Sequence, residues 1–95
     1  MSFLARFRRK KEDPEVARRA LLLRAGRLGE ATVLDTEVDG DGNTMLSYTY
    51  TVGGADYQTF QRLDAAQLLR KNDFVPGSQV VLRYDHRRPT NSFVV

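Results

Sequence analysis

The chain has no cysteine, which removes disulfides, thiolate metal sites and cysteine nucleophiles together. That absence fits a cytosolic protein. No stretch approaches the ~18 consecutive apolar residues of a membrane-spanning helix. The longest apolar block, Ala20 to Leu23, is also too short for the core of a secretory signal. There is a single histidine, His86, so no second imidazole exists to share a metal with it. Internal repeats and a glycine-rich phosphate loop are missing too; Gly53-Gly54 lacks the flanking pattern of such a loop. What remains is a 95-residue chain, the length of one small soluble domain. A domain of this size buries somewhat over ~60% of its unfolded surface, enough for a modest core.

Charge is unevenly spread. Residues 1–27 hold nine Lys/Arg and three Asp/Glu, a net of +6, while residues 28–95 hold six and nine, a net of −3. The basic character belongs to the N-terminal segment and the remainder is slightly acidic.

Residues 1–12 carry no cap or stop signal and are predicted to form a flexible basic arm. Arg6, Arg8, Arg9, Lys10 and Lys11 are interleaved there with Phe3, Leu4 and Phe7. A helix is predicted over residues 13–26. Asp13 suits the N-cap and Pro14 the first helical position. Gly26 suits a left-handed residue just past the end, and Glu15 is spaced to pair with Arg19. Val16, Ala20 and Leu23 line one face, widened by Ala17, Leu21 and Leu22. That stripe is expected to pack on the rest of the domain or on a partner.

From residue 28 onward the pattern reads as a small β-barrel-like domain. Thr32, Leu34, Thr36 and Val38 alternate with Ala31, Val33, Asp35 and Glu37, a two-residue period. Asp39–Asn43 is a turn cluster. A second strand covers 44–52, with Leu46, Tyr48, Tyr50 and Val52 on one face. Gly53-Gly54 marks a hairpin, and a third strand follows over 55–61. Residues 63–71 return to helical spacing, with an Asp64/Gln67 capping box and Leu63 and Leu68 placed as its hydrophobic staple. Pro76-Gly77 is a turn. A strand over 79–84 turns Val80, Leu82 and Tyr84 to one face, Arg87-Arg88-Pro89 breaks it, and a short strand closes at 92–95. The expected fold is mainly β (α+β). It comprises an N-terminal helix and a five-stranded antiparallel barrel or curled sheet of the OB or SH3-like kind. One short helix lies between strands 3 and 4.

Chemistry-bearing patterns are sparse. Asp39, Asp41 and Asn43 alternate oxygen ligands as calcium loops do, but Thr44 stands where that loop needs glycine and Tyr50 where it needs the bidentate acid. The cluster reads as a hairpin turn. Asp85 cannot orient the adjacent His86, because neighbours on an extended chain point to opposite sides. Asp85 is read instead as bonding turn N–H groups. Tyr48, Tyr50, Tyr57, Phe60 and Tyr84 read as core rather than as a stacking platform for nucleic acid. No catalytic residue, cofactor or metal site is expected, and the chain reads as a non-enzyme. The basic arm is the strongest functional pointer. Basic and aromatic side chains together suit an anionic membrane surface, with each Lys/Arg contributing about 1 kcal/mol there.

Tyr48-x-Tyr50-x-Val52, Gly54 and Tyr57, then Pro76-Gly77-x-x-Val80-x-Leu82-x-Tyr84-Asp85, and finally Pro89 and Ser92, together resemble a widespread bacterial domain-of-unknown-function family, number 3592. Gly29, Ala31 and Val33 match its usual Gly-x-Ala-x-Val opening. Members typically end Tyr-Asp-Pro-x-Asn-Pro and a serine; here His86 and Arg88 replace the first proline and the asparagine. The resemblance spans about two-thirds of the chain and implies a small β-rich module, often beside transmembrane helices, with no assigned activity. It implies core roles for Tyr48, Tyr50, Val52, Val80, Leu82 and Tyr84, and turn roles for Gly54, Gly77, Asp85 and Pro89. The expected function is therefore an uncharacterised interaction module, cytoplasmic and associated with a membrane through Phe3, Arg6, Phe7, Arg8, Arg9, Lys10 and Lys11. Expected partners are an anionic membrane surface or a protein, with a homodimer through the N-terminal helix as a further arrangement. The alternative is a nucleic-acid-binding barrel that uses the basic helix and arm.

Overall fold

The computed structural model describes residues 13–95. The arm expected over residues 1–12 lies outside the described residues.

Helix α1 spans Pro14–Ala25. Asp13 caps it by accepting from the Glu15 N–H at 2.8 Å, and Pro14 opens it. Gly26 ends it, but not in the left-handed conformation: its φ is −78° and the chain passes straight into an extended strand. Glycine is needed there for space. A Cβ would lie 2.5 Å from the Leu22 carbonyl oxygen and 3.2 Å from that of Tyr84.

The strands are β1 (Arg27–Val38), β2 (Thr44–Val52), β3 (Ala55–Arg62), β4 (Gln79–Asp85) and β5 (Arg88–Val94). Strand β1 contains a bulge. Val33 pairs with Tyr48 but Asp35 pairs with Ser47, which leaves Leu34 as the extra residue. Without it, the alternation that buries Ala31 and Val33 would carry Asp35 and Glu37 into the core as well. The bulge exchanges the two faces and leaves both acids exposed.

The two predicted hairpin turns form as expected. Asp39 Oδ1 accepts the N–H groups of Asp41 and Asn43, each at 2.9 Å. These bonds, that from Asn43 first, hold the Asp39 carboxyl below its ordinary pKa. Gly53 and Gly54 both take positive φ, 59° and 83°.

Between β3 and β4 the predicted helix over 63–71 is shorter. Helix α2 covers only Ala65–Leu68 and is followed by a 3₁₀ turn over Lys71–Phe74. Its capping box is present: Gln67 N donates to Asp64 Oδ1 at 2.8 Å and Asp64 N to Gln67 Oε1 at 3.1 Å. The staple is not. Leu63 drops into the core while Leu68 and Leu69 stay exposed, so no apolar face sustains further helical turns. Gly77, with φ 90°, completes the Pro76-Gly77 turn, closed by Ser78 N donating to Val75 O at 3.0 Å.

Pro89 is not a turn residue. It is the second residue of β5, which begins four residues before the expected closing strand. The β4–β5 register slips beside it, between Tyr84 and Asp85, so the missing N–H leaves no ladder bond unmade. The turn itself is His86-Arg87, where Asp85 Oδ1 accepts from the Arg87 N–H at 2.9 Å as anticipated.

The strand order is β3-β2-β1-β4-β5, all neighbours antiparallel. Strand β4 returns beside β1, which makes a Greek key. The sheet curls until β3 and β5 lie side by side, giving a nearly closed barrel of the OB kind. Leu46, Tyr48, Val33, Leu82 and Val94 fill its centre. Tyr48, Tyr50 and Tyr57 stack in series, with centroids 5.8 and 5.5 Å apart. Phe60 departs from the expected aromatic core: it points outward and is 68% exposed, because its neighbour Gln61 takes the inward position.

Gln61 closes the barrel. Its amide mimics a backbone pair across the β3–β5 seam, donating to Val94 O at 3.0 Å and accepting from Val94 N at 2.7 Å. Gln67 adds a second donor to the same carbonyl at 2.7 Å. Gln61→Ala removes two buried bonds and orphans the Val94 N–H. A loss of about 2–3 kcal/mol is expected in a urea titration. A change within about 0.5 kcal/mol would show the seam does not depend on this side chain.

Candidate interaction surface

Above Val94 the seam is bridged by α1 rather than by strands. Arg18 Nη1 donates to Ser92 O at 2.8 Å and to Asn91 Oδ1 at 2.9 Å, both on β5. Arg19 Nη2 donates to Arg62 O at 2.6 Å, at the end of β3. Glu15 ties the two arginines together. One oxygen accepts Arg18 Nε at 2.9 Å, and the other accepts Arg18 Nη2 at 2.9 Å and Arg19 Nε at 2.6 Å. The Arg19 guanidinium also lies over the Phe93 ring, 5.6 Å from its centroid. Leu22 is the one α1 residue fully buried in the junction. The Arg18 side-chain bonds, opposed by partial burial and aided by Arg19, hold the Glu15 carboxyl at a pKa of about 2.

This clasp decides which way the helix faces. The expected stripe of Val16, Ala20 and Leu23, with Ala17 and Leu21, does not cover the barrel; only Leu22 does. Val16, Leu21 and Leu23 are 53%, 54% and 52% exposed. The seam presents carbonyl oxygens, which apolar side chains cannot satisfy. The helix therefore turns Glu15, Arg18 and Arg19 inward and leaves Val16, Ala20, Leu21, Leu23 and Arg24 outside. Val16, Ala20 and Leu23 share one edge of the outward side and Leu21 lies on the other, with Arg24 between them.

The other candidate residues are mostly structural. Phe3, Arg6, Phe7, Arg8, Arg9, Lys10 and Lys11 lie outside the described residues. Gly54 and Gly77 hold the positive φ of their turns. His86 is exposed at the β4–β5 turn, on the rim of a groove of about 250 Å³ shared with Leu21, Leu22 and Gly26. Among the described residues no three His, Asp or Glu side chains gather within metal-binding reach, and no helix is long and apolar enough to cross a membrane.

Residues 29–95 match the family described as Domain of unknown function (DUF3592). The chain belongs to this family. No curated protein and no solved structure matches it. The DUF3592 span begins at the third residue of β1 and takes in the rest of the barrel, and α1 precedes it. Its motif residues bond to one another. Tyr48 Oη and Ser92 Oγ are hydrogen-bonded at 2.9 Å, and the Tyr50 hydroxyl donates to Pro89 O. The two halves of the DUF3592 motif thus join β2 to β5 through the barrel interior. Burial pushes the Tyr48 hydroxyl up to a pKa of about 12, so it stays protonated. Gly29 is a motif glycine for space: a Cβ there would meet the Tyr84 ring at 3.2 Å.

Sequence reasoning missed the seam residues. It paired Glu15 with Arg19 but assigned no partner to Arg18, and it read Gln67 only as a cap. The available signal was Arg18-Arg19 interrupting the apolar stripe of the helix.

Glu15 sets a pH dependence. Its folded pKa is depressed from 4.5 to about 2, so its contribution is present above about pH 4.5 and is lost as pH falls toward 2. Thermal unfolding followed from pH 7 to 2 is expected to show a steeper fall in midpoint through that window for the native chain than for Glu15→Gln. Parallel curves would show that the clasp does not couple to folding.

Proposed function

We propose that this DUF3592 chain is a non-enzymatic interaction module held reversibly at an anionic membrane surface by its N-terminal segment, with the barrel as its rigid platform. The observation that carries the reading is the rotation of α1, which keeps Glu15, Arg18 and Arg19 against the barrel and leaves Val16, Ala20, Leu21 and Leu23 outward beside Arg24. Those side chains can enter the headgroup boundary while the barrel stays in water. Seven of the nine basic residues within 1–27, all but the engaged Arg18 and Arg19, supply attraction to anionic headgroups.

Magnitudes favour a reversible association. Covering the exposed halves of Val16, Leu21 and Leu23 contributes roughly 1 kcal/mol each. Each basic residue near the surface adds about 1 kcal/mol, less at high salt. Together the two contributions hold the chain at the surface reversibly, without anchoring it permanently.

Two observations weigh against the other readings. Arg18 and Arg19, which a phosphate-binding helix would turn outward, are engaged by Glu15 and by barrel carbonyls. Among the described residues every buried side-chain nitrogen and oxygen has a partner, which leaves no unsatisfied polar group awaiting a substrate.

Co-sedimentation with phosphatidylserine-containing and with neutral phosphatidylcholine vesicles tests the proposal. The full chain is expected to bind the anionic vesicles alone. Replacing Arg8, Arg9, Lys10 and Lys11 by Gln is expected to weaken binding by about a hundredfold or more. Leu21→Ser with Leu23→Ser should weaken it at every salt concentration. Equal binding by all three proteins, or none by the native chain, would sink the reading.

A further inference from the structure

The α1–β1 junction and the β4–β5 turn meet at one end of the barrel and bring together arginines far apart in sequence. Arg24 stands in the last turn of α1 and Arg27 opens β1 opposite Tyr84. Arg83 pairs with Leu28 and donates to the Gly26 carbonyl at 3.2 Å. Arg87 lines the groove with Ala25 and Gly26, and Arg88 pairs with Asp85 across the turn. Arg24, Arg27, Arg87 and Arg88 are exposed. Among the described residues the ion pairs hold Arg18, Arg19 and Arg70 and none of these five. The one carboxylate beside them, Asp85, accepts a backbone N–H. Five arginines against the Asp85 carboxylate give this end of the barrel a net positive charge.

We infer that this arginine-rich end is a second basic anchor, one that takes the phosphate groups of anionic lipids and orients the barrel on the bilayer. The inference rests on the membrane reading proposed above and specifies its footprint. Guanidinium groups match phosphate oxygens in pairs, and four to eight clustered Lys/Arg are the usual count for anionic-lipid surfaces. The patch is interleaved with apolar side chains. Leu21 belongs both to the groove and to the outward face of α1, and Leu28, 65% exposed, stands beside Arg83. A single-stranded nucleic acid would call for exposed aromatics among the arginines, and Tyr84, the aromatic residue nearest them in sequence, is packed against the core. Helix α1 is about 18 Å long. Its C-terminus reaches the arginine end, so the outward apolar residues of the helix run up to this basic group.

The cysteine-free chain allows the footprint to be mapped by single labels. Spin labels at His86→Cys, in the β4–β5 turn, and at Asp35→Cys, on the exposed side of β1 away from the seam, are compared on protein bound to phosphatidylserine-containing vesicles. The label at position 86 is expected at phosphate depth and the label at 35 in water. The R27Q/R87Q/R88Q variant is expected to bind tenfold to a hundredfold more weakly, with a shallower salt dependence. Binding with both labels in water would overturn the inference and leave the membrane reading standing. No vesicle binding by the native chain would overturn both. Retention of an oligonucleotide that is lost in the triple variant, without lipid binding, would assign this end to nucleic acid instead. Should the triple variant fail to fold, the labels decide.

Discussion

The two strand edges that meet at the seam of this barrel carry backbone groups with no ladder to join. Strands β3 and β5 approach each other without pairing, and an unpaired buried backbone group costs as much as a lost hydrogen bond. Side chains take the place of the ladder. Gln61 and Gln67 bond Val94, Arg18 bonds Ser92, Tyr50 bonds Pro89, and Arg19 bonds Arg62. The same bonds blunt two edges that would otherwise invite another strand.

The orientation of α1 follows from that constraint. Two of the carbonyls need donors from above, and Arg18 and Arg19 are long enough to reach them while Glu15 ties the two together and offsets one of their two charges. Once those three residues face inward, helical geometry directs Val16, Ala20 and Leu23 outward. An apolar exterior is thus a consequence of polar satisfaction at the seam. The helix is a bridge across the barrel on one side and an interaction face on the other. Its stability through Glu15 and its exposure through Leu21 and Leu23 are two sides of one arrangement.

Local features were legible in the sequence because their causes are local. The Asp13 cap, the Gly53-Gly54 hairpin, the Asp64/Gln67 box and the bond from Asp85 to the turn each need only a few neighbouring residues. The core face of β2 was legible through its alternation. What escaped depended on distant partners. Pro89 looked like a strand breaker until the register slip beside it made its lack of an N–H harmless. Leu68 looked like a staple partner until Leu63 was drawn into the core. Phe60 looked like core until Gln61 was needed at the seam. The arginines at 83, 87 and 88 are separated from 24 and 27 by almost the whole barrel, and only the β1–β4 pairing makes them neighbours.

By itself the sequence determined the family, the mainly β class, the order of elements and the sharp division of charge, since composition, periodicity and turn chemistry are properties of short stretches. Tertiary structure alone decided which face of the helix is hidden, how the barrel closes and where the positive charge collects. Those outcomes depend on which backbone groups remain unpaired after the sheet has curled, and that is not defined until residues dozens of positions apart have met.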